Sequence, residues 1–114
     1  MFFQNLYSFI EKLKKEVDFD EWYLSDFIEK NIDTLSQEDA FQMQSYVIQL
    51  IEHNLKSNEM YELLQIWIAL QRQSSTTQKP LELINNPNIF ESVIDHSSAD
   101  YILENIAVLK DIYK

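Results

Sequence analysis

Glycine is absent from all 114 residues of this chain, and no other feature restricts its fold as strongly. Two-residue hairpin loops depend on glycine for their positive φ angles, so a sheet built from tight hairpins is disfavoured. Gly-rich phosphate loops, dinucleotide fingerprints and nucleophile elbows need a backbone that turns sharply or closely approaches a ligand. None can be built here. Helix ends that need a left-handed residue must turn to asparagine, and Asn31, Asn54, Asn58, Asn85 and Asn86 are expected there. The chain should consist of helices joined by short polar turns.

The apolar spacing agrees. Leu6, Phe9, Ile10, Leu13 and Val17 recur at three and four, which predicts a helix over 3–16. A second is expected over about 20–34, capped by Asp18 or Asp20, with Leu24, Phe27, Ile28, Ile32 and Leu35 inward. Ser36-Gln37-Glu38-Asp39 is a strong start signal for a third, over about 37–56, with the stripe Ala40, Met43, Val47, Ile48, Leu50, Ile51 and Leu55. After a short break at 56–58, Met60, Leu63, Leu64, Ile66, Trp67, Ile68 and Leu70 cover some 200° of a helix near 59–72. A helix apolar over that much of its surface is enclosed by neighbours. The polar run Gln71–Lys79 reads as a loop, followed by short helical pieces at 80–84 and 89–95. A last helix over 99–113 is expected to start from a Ser97–Asp100 capping pair. The fold expected is therefore all-α, a single domain over 1–114. It is a compact bundle of about five to six helices built from antiparallel helical hairpins, with the central helix near residues 59–72.

Composition removes several function classes. Without cysteine there is no disulfide, thiol nucleophile or Cys-ligated metal. The stretch MFFQNLYSFIEKLKKE has spaced apolar residues with its bases following them, unlike a signal peptide. No apolar run reaches the ~18 residues of a membrane span, so a cytoplasmic protein is expected; its oligomeric state stays open, with a monomer favoured. His53 lies opposite an apolar stripe, with Gln49 and Ser57 and no ligand at helical spacing, and His96 falls at a turn. Ser74, Ser75, Thr76 and Thr77 have no base beside them. The chain is expected not to be an enzyme, with no catalytic residue, metal or cofactor.

What remains is charge. Most of the net −10 falls between residues 16 and 39, where Glu16, Asp18, Asp20, Glu21, Asp26, Glu29, Asp33, Glu38 and Asp39 face Lys30 alone. The same stretch carries Phe19, Trp22, Tyr23 and Phe27. On a helical projection from Leu24, the side opposite the apolar stripe holds Trp22, Asp26, Glu29 and Asp33. Acids near a helix start are favoured by the dipole, which accounts for Asp18, Asp20 and Glu21, and a plain solvated face is one reading of the row. A binding face is the other. Repelling carboxylates and a tryptophan left in water both work against stability, a departure that tends to mark functional sites. The expected partner-binding residues are Trp22, Tyr23, Asp26, Glu29 and Asp33, with Glu38 and Gln42, then Ser45 and Gln49, on the next helix. Such a field favours a basic protein surface and repels nucleic acid and anionic membrane.

In size, charge, helical character and lack of glycine and cysteine, the whole chain resembles the small acidic immunity proteins of bacterial toxin–immunity systems, those of contact-dependent inhibition included. The resemblance implies an inhibitor that binds and neutralises a basic cognate toxin domain, often a nuclease. Two other readings stay open. An acidic helical secretion or flagellar-type chaperone would dimerise or expose a large apolar groove. A nucleic-acid-mimicking regulator would spread its carboxylates over the whole surface.

Overall fold

The computed structural model describes residues 2–15, 22–97 and 99–113. Seven helices and no strand occur among them: α1 (Phe2–Lys15), α2 (Tyr23–Asn31), α3 (Gln37–His53), α4 (Met60–Ser74), α5 (Leu81–Asn85), α6 (Ile89–His96) and α7 (Asp100–Ile112). The count exceeds five to six because each proline starts a new element. Pro80 stands at the start of α5, and Pro87 separates α5 from α6.

The α3–α4 hairpin is the centre of the bundle. Ser36 Oγ accepts a hydrogen bond from the Asp39 amide at 3.1 Å, the cap expected from the sequence, with Glu38 and Asp39 suiting the helix dipole. The chain turns back after Asn54, and Gln44 midway along α3 reaches Ser74 at the end of α4, so the two helices are antiparallel. On α4, Met60, Leu63, Leu64, Ile66, Trp67, Ile68 and Leu70 are all buried. α7 runs alongside α4 in the same direction, pairing Tyr61 with Tyr101 and Gln65 with Asn105. α1 and α2 close one flank through Leu6, Phe9, Phe27 and Ile32, and α5 lies against α3.

Three sequence expectations need correction. α4 does not give way to a loop at Gln71; it continues to Ser74, and Gln71 and Ser74 are buried. These positions fall four and seven residues after Trp67, on the same helix face, and their polarity is satisfied internally. Gln71 Nε2 donates to the Thr76 carbonyl at 3.0 Å, and Ser74 Oγ to the Gln71 carbonyl at 2.6 Å. Next, the left-handed cap falls to Ser75, at φ 56°, and to no asparagine among the described residues. The asparagines stop helices with their side chains instead: Asn31 Nδ2 donates to the Phe27 carbonyl and Asn54 Nδ2 to that of Leu50. Finally, Ala99 begins α7 without a side-chain cap, and Ser97 ends α6, so no Ser97–Asp100 capping pair forms.

At the heart of the core is a small polar cluster. Trp67 Nε1 donates to Gln44 Oε1 at 3.1 Å and lies 3.4 Å from the Tyr113 hydroxyl, which itself donates to Gln44 Oε1. Gln44 and Trp67 are fully buried. Burial pushes the Tyr113 phenol up to about 12, although the bond with Trp67 pulls the other way.

Candidate interaction surface on α2

α2 is shorter than the sequence suggested, nine residues rather than fifteen, and its proposed caps Asp18 and Asp20 lie outside the described residues. Trp22 occupies the position before the helix. Its carbonyl accepts from the Asp26 amide at 2.8 Å, while its indole is 62% exposed. Phe27 and Ile32 are buried; Leu24, Ile28 and Leu35 are half-buried against the core. The inward stripe is thus the expected one, which turns Asp26 and Glu29 outward on α2; Asp33, expected on the same helix, lies in the turn that follows it. All three are exposed, and none takes part in an ion pair or a side-chain hydrogen bond among the described residues.

The row divides between two grooves. Asp26 borders the α1–α2 groove with Asn5, Lys12, Tyr23, Lys30 and Asn31, where Asn5 Nδ2 donates to Asn31 Oδ1 at 2.7 Å. Asp33 borders a depression of about 250 Å³ over α4 with Ile28, Gln65, Ile68, Ala69, Arg72 and Gln73. Each groove contains a base, so the acidic field is punctuated rather than uniform. Tyr23 leans toward α1: its ring lies 4.7 Å from that of Phe9, and Lys12 Nζ sits 5.4 Å above it. It supports the face more than it presents itself to a partner. Gln73 fixes the far end, since its Nε2 donates to both the Asp33 and the Leu35 carbonyls, at 3.2 and 2.6 Å.

On α3 the expected outer residues separate. Glu38 and Gln42 are exposed. Ser45 and Gln49 instead meet α5: Ser45 Oγ accepts from the Glu82 amide at 3.2 Å, and Gln49 Nε2 donates to Glu82 Oε2 at 3.3 Å. The buried face of α5 had to rest somewhere, and periodicity within α3 alone carries no sign of which neighbour arrives. Sequence reasoning also missed Lys12, Gln65, Arg72 and Gln73, polar residues brought to the α2 flanks only by tertiary packing.

His53 and His96 are both exposed, each with Nδ1 donating to the carbonyl four residues earlier, Gln49 at 2.8 Å and Ser92 at 2.9 Å. They border one broad depression with Lys14, Lys56, Glu52 and Glu59. Among the described residues, no group of three or more ligating side chains could hold a metal ion. Burial pushes the Glu52 and Glu62 carboxyls above the usual range; for Glu52 the bond from Asn86 pulls it back. No helix among the described residues is long and apolar enough to cross a membrane. No protein-family model, curated protein or solved structure matches this chain.

Proposed function

We propose that this chain is a protein-binding inhibitor of the immunity type, which neutralises a basic toxin domain by docking the outer side of α2 onto it. The supporting observation is the row Asp26, Glu29 and Asp33: exposed, unneutralised by any ion pair among the described residues, and headed by a tryptophan that is 62% exposed. An unpaired acidic row steers diffusion of a basic partner and rejects acidic ones. A large aromatic within it supplies the anchor that carries binding energy once water is expelled.

The experiment is affinity capture of the partner from the native host, followed by binding kinetics of surface variants. Reversing Glu29 and Asp33 to lysine slows association and flattens its salt dependence, because the steering field is what salt screens. Trp22→Ala acts on dissociation, weakening the complex by about 2 kcal/mol or more. A complex unaffected by both changes places the interface elsewhere and defeats the proposal.

A further inference from the structure

α4 is covered on every side but one. Tyr61, Glu62, Gln65, Ala69, Arg72 and Gln73 follow one another along a single strip, each exposed or half-buried, while the remaining α4 residues are buried. The strip forms the floor of a trough. On one side stands α2, with Ile28 and Asp33 lining the depression over Gln65, Ala69 and Arg72. On the other stands α7, joined to the same floor because Gln65 Nε2 donates to Asn105 Oδ1 at 2.6 Å. The α7 wall carries Tyr101, 57% exposed and edge-on to Tyr61, and Val108, 41% exposed. Glu104 shares their side of the helix at three and four residues' spacing.

We infer that the α2–α4–α7 trough is a second part of the partner-binding surface, occupied by a segment of the basic partner that carries both cationic and apolar side chains. The inference rests on the basic-partner reading and deepens it. Three observations carry it. The trough is continuous with the acidic row through Asp33, and a specific interface needs about 800 Å² from each partner, more than the outer side of one nine-residue helix offers. Its charge is complementary to a cationic segment: Asp33 and Glu62, with Glu104 on the α7 wall, outnumber one base, Arg72. Its polar groups are incomplete as well. Glu62 Oε2 and Asn105 Nδ2 are buried with no hydrogen-bond partner among the described residues, a costly state that a donor and an acceptor on the partner relieve once these side chains turn toward it. Tyr61, Tyr101 and Val108 offer the apolar contact.

The test is an amide-resolved NMR titration of the intact protein at low salt. The probe is a synthetic amphipathic helical peptide with arginines on one face and leucines on the other. Shifts at Gln65, Ala69, Tyr101 and Val108 alongside those at Glu29 and Asp33 are expected. Tyr101→Ala, a surface change whose folding is checked by circular dichroism, should weaken peptide binding roughly ten-fold. Shifts confined to the outer side of α2 overturn the trough and leave the basic-partner reading standing. An absence of shifts on either surface overturns both. Equal binding by a peptide with glutamates in place of the arginines overturns the charge argument. Concentration-dependent self-association that shifts the same amides overturns it too, by giving the trough to a second copy.

Discussion

The two tryptophans, Trp67 and Trp22, differ sharply in exposure. Trp67 is 0% exposed, stacked 5.5 Å from Phe90, with its N–H engaged by Gln44 and Tyr113. Trp22 is 62% exposed at the edge of a nine-residue helix whose outer carboxylates enter no ion pair among the described residues. Around Trp67 every polar group is matched and every apolar surface covered, the pattern of a region that sets stability. Around Trp22 a large aromatic stays exposed, and the nearby carboxylates Asp26, Glu29 and Asp33 enter no ion pair among the described residues. The same residue type therefore separates the part of the molecule that holds the fold from the part available to something else.

That contrast can be broken most directly at the tryptophans. Trp67→Ala should destabilise by about 3–5 kcal/mol in chemical denaturation, through lost burial and a cavity. Gln44→Ala should cost about 1–3 kcal/mol, because it strips the acceptor from both the Trp67 and Tyr113 donors. Tyr113 gives a pH signature. Its folded-state value of about 12 lies above the ordinary 10.0, so its stabilising effect is complete below pH 10 and is lost as pH rises toward 12. The loss is on the order of 2 kcal/mol, and Tyr113→Phe should remove that alkaline step from the stability profile.

The edge should respond weakly by the same measurement. Trp22→Ala should shift stability by less than about 1 kcal/mol; a cost equal to that of Trp67→Ala would erase the distinction. Smaller still is Glu29→Lys. It converts a repelling pair with Asp26, three residues apart, into an attracting one and should raise stability by about 0.2–0.5 kcal/mol. A binding-impaired variant that is slightly more stable than the parent is the sharpest form of the comparison.

Helix identity was legible because each apolar stripe repeats at three and four, and the Ser36 cap was legible because its geometry is local. What escaped reading depended on tertiary partners. Gln44 sits on the buried side of its stripe, four residues after Ala40 and four before Ile48, yet its polarity argued for solvent until Trp67 and Tyr113 supplied donors. Gln71 and Ser74 were hidden the same way. On the candidate surface, the outward orientation of Asp26 and Glu29 followed from periodicity, whereas Asp33 reaches the surface from the turn after α2. The bases beside them came from α1 and α4, and α5 covered Ser45 and Gln49. No pattern within a single helix encodes those neighbours.

The bond pair made by Gln73 has a kinetic consequence. α2 has one buried residue of its own, Phe27, and short helices of this kind open locally at a lower free energy than the core they rest on. Gln73 reaches from the rigid end of α4 to two carbonyls in the turn that follows α2. It thereby ties the closed state of α2 to the buried α3–α4 hairpin. Gln73→Ala should leave global unfolding nearly unchanged while amides of α2 and its turn exchange faster with deuterium. The carboxylate row would then spend more time off its docking geometry, and a partner would have to wait for it to re-form.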